Sequence, residues 1–246
     1  MQIVLILALV ATLFIAENAP ASPLAGNVGV RVLLAALAMA CVPGAAVAVA
    51  KITSRRLRRR TADPERVLAS YRRLRRIQVA VWLAAVVGIA YGLGWAQIVR
   101  FNWHLDRVPF LDDLLILAPV LVPLVLSWAA FYEVDRATCH GPGVSMREYL
   151  DLHARHYLAI VLLPVVALLA VQDLVGLLLP EGPWRSDALL LAPIVGMVAL
   201  LVVFPVLLRR VWRTRPLPAG ELRTRLETMA RLHGLRLAEI LVWDTR

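Results

Sequence analysis

A group of cysteine and histidine residues in the middle of the chain holds the side chains best suited to chemistry. Cys139 and His140 are adjacent, and His153 and His156 follow with a spacing of three residues. On a helix this spacing places both imidazoles on one face, and a zinc site requires three or four converging ligands. Polar histidines beside an apolar stretch are also typical of a membrane interface, so we assign no metal ligand.

The sequence contains none of the short motifs that mark common hydrolases and nucleotide-binding enzymes. It has no HExxH, no G-x-S-x-G and no glycine-rich phosphate loop. We therefore predict no catalytic, cofactor-binding or metal-ligating residue in this chain.

Asp173 is the one acidic residue that falls well inside a long apolar stretch. Carboxylates within a membrane are costly and often functional, for example as proton or ion relays. Asp173 is only six residues from the end of its stretch, where water reaches it. A role in packing or at the interface is therefore the favoured interpretation, and a relay is the alternative.

The elements that position these side chains are six apolar stretches. Hydrophobic residues make up 60% of the 246 residues, and the mean hydropathy is +0.72. About 20 apolar residues form a helix long enough to cross the ~30 Å hydrocarbon layer. The predicted spans are Gln2–Ala16, Val28–Ala50, Ile77–Gln97, Leu114–Tyr132, Tyr157–Leu179 and Ala188–Leu208. The fold class is therefore an all-α polytopic membrane protein with about six transmembrane helices.

Basic residues are concentrated in every second gap between these spans. Segments 51–76, 133–156 and 209–246 hold 23 of the 27 lysines and arginines. By the positive-inside rule these segments face the cytoplasm, which places both termini on the cytoplasmic side of the cell inner (plasma) membrane. The charge flanks spans rather than forming a domain of its own, so nucleic-acid binding is excluded.

The first stretch has two interpretations. It is short, and the following Ala19-Pro20-Ala21 has the form of a signal-peptidase site, but the basic residues that begin a signal peptide are missing. We favour an uncleaved span. Cleavage would leave five spans and would not change their orientation in the membrane.

Segment 51–76 combines a basic run with an amphipathic helix that leads into the third span. Asp63 before Pro64 and Glu65 predicts the start of this helix. Each arginine here is expected to gain about 1 kcal/mol of binding free energy from anionic lipid headgroups of the inner leaflet. Setting the topology is the favoured role, and lipid recognition is an addition to it. Gly88 and Gly92 predict a close contact between the third span and another helix.

The composition changes after residue 210, which divides the chain into a transmembrane domain, 1–210, and a cytoplasmic tail, 211–246. Residues 220–232 predict an amphipathic helix with Gly234 as its C-terminal cap, and 235–244 predict a strand. A lone strand leaves backbone groups unpaired. The tail therefore looks like the start of a soluble α+β domain whose remainder is absent.

This region resembles the approach to the catalytic domain in membrane zinc metallopeptidases of the CAAX prenyl protease and HtpX-like family. The matching residues are Phe204-Pro205, Arg209-Arg210, Trp212-Arg213, Pro216-Leu217-Pro218, Leu222, Leu226, Gly234 and Glu239-Ile240-Leu241-Val242-Trp243-Asp244-Thr245.

The resemblance implies a function and also a limit to it. In that family several spans precede a cytoplasmic domain that opens with a helix and a strand and then carries HExxH on a helix, with zinc as cofactor. Here the sequence reaches Arg246 before any such ligand. We expect the membrane-anchoring portion of a zinc metallopeptidase, inactive alone, with a missing or separate catalytic domain as partner. The alternatives are a small transporter or channel that uses Asp173, and a lipid-binding membrane scaffold that uses 51–76.

Overall fold

The chain is an all-α, multi-pass membrane protein with one small sheet near its last residues, as the computed structural model shows. The structure describes residues 2–18, 26–58, 63–105, 108, 110–140, 143–180 and 182–242. The side chains of Arg58, Pro64, Cys139 and His140 also lie outside the described part.

Helices account for most of the described residues. The α-helices are α1 (Gln2–Asn18), α2 (Val28–Arg58), α3 (Pro64–Val87), α4 (Trp95–Gln97), α5 (Leu111–Ile116), α6 (Ala118–Asp135), α7 (Met146–His153), α8 (Ile160–Leu178), α9 (Pro183–Val211) and α10 (Glu221–Leu232). The π-helical segments that continue α3, α4, α6 and α7 are Gly88–Gly92, Ile98–Asn102, Arg136–His140 and Ala154–Ala159. The strands are β1 (Arg215–Pro216) and β2 (Leu241–Val242).

Five helical stretches among the described residues are long and apolar enough to cross a membrane. They are Val28–Leu57, Glu65–Gly92, Ala118–Thr138, Met146–Leu178 and Pro183–Val211. They match five of the six predicted spans and extend several of them at the arginine-rich end.

The first predicted span forms the shorter helix α1, which has 17 residues and a length of about 26 Å. Its side chains Leu5 and Leu9 are buried, at 1% and 0% exposure, so α1 contributes to the core of the bundle. The candidate cleavage site at 19–21 lies outside the described residues, and the choice between span and signal peptide stays a prediction.

The centre of the bundle is formed by α2, α3 and α6, which pack against one another. Trp82 of α3 and Trp128 of α6 are almost fully buried in this core, and the indole N–H of Trp82 donates to the Val120 carbonyl at 3.1 Å. Helix α1 contacts this core, and α8 packs along α9. Much of the apolar surface of α8 and α9 is exposed, as expected for helices that face lipid.

The two ends of the bundle differ in charge, and we name them accordingly. The basic end is where α3 begins and α6 ends, next to segment 51–76. The acidic end is where α5 begins, with Asp112 and Asp113 in its first turn. The predicted helix start at the basic end is confirmed, because the Asp63 carboxylate accepts a 3.0 Å hydrogen bond from the Glu65 N–H.

The third span ends in an irregular turn. The π-helical segment Gly88–Gly92 follows α3, and Gly94 adopts a left-handed conformation with φ of 60°. Arg31 of α2 donates to the carbonyls of Leu93, from Nε at 2.7 Å, and of Gly94, from Nη2 at 3.2 Å. A side chain from a second span thus satisfies backbone carbonyls that the helix break leaves open.

The predicted close contact at Gly88 and Gly92 is wrong. A Cβ built on either glycine meets nothing within 4 Å, so neither glycine lies in a close helix contact with a described residue, although α1 passes near the segment Gly88–Gly92. The close approach lies at Gly196 of α9, where a Cβ would be 3.2 Å from Leu168 and 3.7 Å from Val171 of α8. The spacing of small residues does not show which helix face meets a neighbour, and this explains the error.

The segment between the fourth and fifth spans is more helical than predicted. Helix α6 runs to Asp135 and continues as the π-helical segment Arg136–His140, and α7 passes through Ala154–Ala159 directly into α8. Tyr149 of α7 is fully buried against α6. The helical stretch of the fifth span therefore begins at Met146, and Tyr149 is the buried residue of Met146–His153.

The tail contains a strand–helix–strand unit. Helix α10 matches its prediction, and Gly234 caps it with φ of 69°. The Leu235 N–H donates to the Ala230 carbonyl at 2.9 Å in the manner of a Schellman motif.

The prediction of an unpaired strand is wrong, because β2 pairs antiparallel with β1, with Arg215 opposite Val242. The partner strand is only two residues long and contains Pro216, and for this reason the sequence did not indicate it. Residues 243–246 of the predicted strand and tail, Arg246 included, lie outside the described part. The division into 1–210 and 211–246 stays a prediction.

Candidate functional site

A buried carboxylate joins three helices at the basic end of the bundle. Asp135, the last residue of α6, is 4% exposed. Its Oδ1 accepts a 2.8 Å hydrogen bond from the hydroxyl of Tyr71 in α3, and its Oδ2 accepts one of 2.7 Å from the hydroxyl of Tyr149 in α7. Arg75 Nη1 lies 3.1 Å from Oδ2 and completes the site as an ion pair. A buried charge is tolerated only when it is paired and hydrogen-bonded in this way.

Local sequence signals set the positions of these groups. Tyr71 and Arg75 are four residues apart on α3 and therefore share one face. At the start of α7, Ser145 and Glu148 form a capping box, with the Ser145 N–H donating to the Glu148 carboxylate at 2.8 Å. This cap fixes the first turn of α7, and Tyr149 follows directly. The Arg75 guanidinium also lies 5.2 Å from the centroid of the Phe131 ring.

A cavity of about 370 Å³ opens beside this network, between α3, α6 and the segment that leads into α8. Three guanidinium groups line one part of it: Arg72, Arg75 and Arg76. Val79, Trp82, Leu124 and Trp128 line the apolar part, Phe131 lies beside Arg75, and Gln78 also lines the cavity. The hydroxyl-bearing residues Ser127 and Tyr157 also face it, and no acidic residue does. Among the described residues, no carboxylate pairs with Arg72 or Arg76, and both are exposed.

The histidines do not assemble a metal centre from the side chains that the structure describes. The His153 ring lies 4.1 Å from the Tyr149 ring and 5.4 Å from the Trp128 ring, within the aromatic core. The His156 ring stacks on Trp212 at 6.3 Å. The acidic residues close to these histidines in the sequence are also engaged, Glu148 in the capping box and Asp151 in an ion pair with Arg155. The side chains of Cys139 and His140 lie outside the described part, so their share in the predicted group is not tested.

Asp173, the intramembrane acid that the sequence singles out, lies at the acidic end. Its Oδ2 accepts a 3.0 Å hydrogen bond from the Phe110 N–H, which ties α8 to the turn before α5. Single carboxylate oxygens of Asp112, Asp113 and Asp173 lie within 4.8 Å of one another. Arg100 compensates part of this charge, with Nε 3.4 Å from Asp112 Oδ2 and Nη2 3.5 Å from Asp113 Oδ1. These contacts agree with the packing role that the sequence favours for Asp173.

Burial and crowding change the acidity of one member of this group. The Asp113 side chain is largely buried, and burial, with the neighbouring charges of Asp112 and Asp173, raises the pKa of Asp113 to about 6. Arg100 opposes this shift by attracting the ionised form. The group thus carries a carboxyl that takes up a proton near neutral pH.

The tail presents an uncovered apolar face. Leu222, Met229 and Leu232 of α10 lie on the same face and are 61%, 57% and 80% exposed. The strands leave that face open, although Arg223 Nη1 ties the helix to the Leu217 carbonyl at 2.9 Å. An amphipathic helix gains most of its stability from burial of this stripe, and among the described residues none covers it.

Comparisons with protein families, curated proteins and solved structures found no match to this chain. The class of protein that the fold defines, a multi-pass helical membrane protein, therefore rests on the length and apolar character of its helices.

Sequence reasoning missed the Asp135 network. The predicted fourth span ends at Tyr132, which places Asp135 in the polar segment 133–156, whereas Asp135 is the last residue of α6. One available signal was the position of Tyr71 on the apolar face of the helix that begins at Pro64, since a buried tyrosine hydroxyl needs a polar partner.

Proposed function

We propose that this chain is the membrane-anchoring portion of a membrane-bound zinc metallopeptidase and is not catalytically competent alone. The structure of the tail gives this proposal its main support. A strand–helix–strand unit follows the last span directly, and its helix exposes the leucines and methionine that a soluble domain would cover. The zinc-peptidase assignment itself comes from the resemblance of residues 204–245 to the CAAX prenyl protease and HtpX-like family.

The proposed role has a defined geometry. A catalytic domain, on this polypeptide or a separate one, packs on the exposed face of α10 and extends the sheet from β2. That domain supplies the zinc ligands and the general base, and the chain described here holds it at the membrane. We further propose that the protein lies in the cell inner (plasma) membrane with its basic end toward the cytoplasm, because 23 of the 27 basic residues flank that end.

Cysteine accessibility tests the covered face. In a background with Cys41→Ala and Cys139→Ala, Leu232→Cys places a thiol on the apolar face of α10, and Arg231→Cys places a control thiol at an exposed position on its polar side. In native membranes we expect a water-soluble maleimide to label the control and spare Leu232→Cys. In the purified 246-residue chain both thiols are expected to react. Equal labelling in native membranes would contradict a domain on this face.

The peptidase assignment has its own test. We expect the coding sequence beyond residue 246, or an adjacent gene, to encode an HExxH helix. Co-expression with that segment should give zinc-dependent peptide hydrolysis that the 246-residue chain alone lacks. If neither place encodes the motif, the peptidase proposal is wrong, whatever the labelling result.

The transporter alternative has weaker support. It relies on Asp173, and the carboxylate of Asp173 is engaged with the Phe110 N–H. This alternative predicts that Asp173→Asn abolishes flux into proteoliposomes.

A further inference from the structure

We propose that the cavity lined by Arg72, Arg75 and Arg76 binds the headgroup and first acyl carbons of one anionic phospholipid. This lipid comes from the leaflet at the basic end. The inference is independent of the proposed peptidase role, because it rests on the transmembrane helices and not on the tail.

Charge is the first argument for this ligand. Among the lining residues three are arginines and none is acidic. Arg75 is partly neutralised by Asp135, whereas Arg72 and Arg76 have no carboxylate partner among the described residues. These two residues are one helical turn apart and present their guanidinium groups on the same side of α3. A phosphate is the group that such planar donors bind best.

The polarity of the cavity along α3 is the second argument. From Arg76 to Trp82 the helix rises about 9 Å toward the middle of the membrane. Over this length the lining changes from guanidinium groups to Val79, Trp82 and Leu124, and the one polar α3 residue in between, Gln78, donates to the Val42 carbonyl. A free phosphate would use only the basic part, and an apolar molecule only the deeper part. A phospholipid matches both, and its headgroup lies at the depth of the arginines.

The volume supports one partly inserted lipid. A cavity of about 370 Å³ falls within the ordinary range for small-molecule sites. It accepts a headgroup and the beginning of one chain, while the rest of the lipid remains in the bilayer. This distinguishes a site from the diffuse attraction that any basic run next to a membrane produces.

The test compares two pairs of arginines on the same helix. Arg72→Gln with Arg76→Gln removes the cavity pair. Arg66→Gln with Arg73→Gln removes the same charge from exposed positions that do not line the cavity. The purified 246-residue protein is titrated with phosphatidylglycerol or phosphatidylcholine and monitored by native mass spectrometry. We expect one retained phosphatidylglycerol, about 30-fold weaker binding for the cavity pair and little change for the control pair.

Two further measurements separate the cavity from the surface charge. Val79→Phe fills the apolar part without a change in charge and should also weaken binding, with a monodisperse elution profile as evidence of folding. An excess of glycerol phosphate should fail to displace the lipid. Equal losses in both arginine pairs, no preference for phosphatidylglycerol, or displacement by glycerol phosphate would each overturn the proposal.

Discussion

The carboxylate of Asp135 accepts a 2.7 Å hydrogen bond from the hydroxyl of Tyr149, and both side chains are almost fully buried. The two residues belong to α6 and α7, which the sequence separates by a polar connection. Their hydrogen bond fixes the fifth span against the fourth at the basic end. With Tyr71 and Arg75 of α3 as the other partners, it makes Asp135 the point where three helices are joined.

Loss of the Asp135 carboxylate should therefore destabilise the bundle strongly. Asp135→Ala leaves Arg75 without its buried counter-ion and two tyrosine hydroxyls without an acceptor, and removal of one partner of a buried pair costs about 3–5 kcal/mol. Tyr149→Phe removes a single hydrogen bond to a charged group and should cost about 1.5–3 kcal/mol. Unfolding in mixed detergent micelles measures both. Asp151→Ala is the control, since the Asp151–Arg155 ion pair is half exposed. A cost for Asp135→Ala no larger than the control would contradict the network.

The glycines of the third and sixth spans should respond oppositely to an added methyl group. Gly88→Ala meets no atom within 4 Å, and alanine favours a helix over glycine by up to about 1 kcal/mol. The melting temperature should stay equal or rise. Gly196→Ala places Cβ 3.2 Å from the end of the Leu168 side chain, which must shift by a few tenths of an ångström, and the larger Gly196→Leu should lower the melting temperature clearly. A greater loss at Gly88 than at Gly196 would show that the small-residue spacing in the third span does mark a helix contact.

The elements that the sequence predicts best are those with local causes. Apolar length alone indicates the spans, and the cap at Asp63 and the glycine stop at Gly234 depend on neighbouring residues. Each of these features involves groups within a few positions of one another, so no knowledge of the tertiary structure is needed.

The features that the sequence did not predict depend on distant residues. Asp135 is buried because Tyr71 and Arg75, some 60 positions earlier, reach it. In the same way, β2 has a partner because the chain, after the whole of α10, returns to pair with Arg215 of β1. The cavity at Arg72 required the approach of α6 to α3, although its arginines were already identified as a basic, lipid-facing segment.

Arg31 should be important for the end of the third span, although it is a single charge near the membrane. Arg31→Leu removes the donors to the Leu93 and Gly94 carbonyls, and unsatisfied carbonyls in an apolar setting cost about 1–3 kcal/mol. Arg31→Lys keeps the charge but not the planar fork, so it should recover only part of the stability. Thermal unfolding in detergent ranks the three proteins. If Arg31→Leu is as stable as the original protein, the break at Gly94 does not need this residue.

The acidic end should make stability depend on pH through Asp113. Its pKa of about 6 in the folded protein lies above the ordinary value of 3.8, so the folded state binds a proton more tightly than the unfolded state. The contribution of Asp113 to the free energy of unfolding is therefore largest below about pH 4. It falls as the pH rises from about 4 to about 6 and stays low above that.

We expect Asp113→Asn to remove this part of the pH dependence. The melting temperature of the variant minus that of the original protein should be larger at pH 7 than at pH 4.5. The control is Asp187→Asn, because Asp187 is exposed at the start of α9, and its difference from the original protein should be the same at both pH values. The crowding of Asp112 and Asp173 around Asp113 predicts this sign. If Asp113→Asn were favoured at pH 4.5 instead, the attraction of Arg100 for the ionised carboxylate would outweigh burial and crowding together.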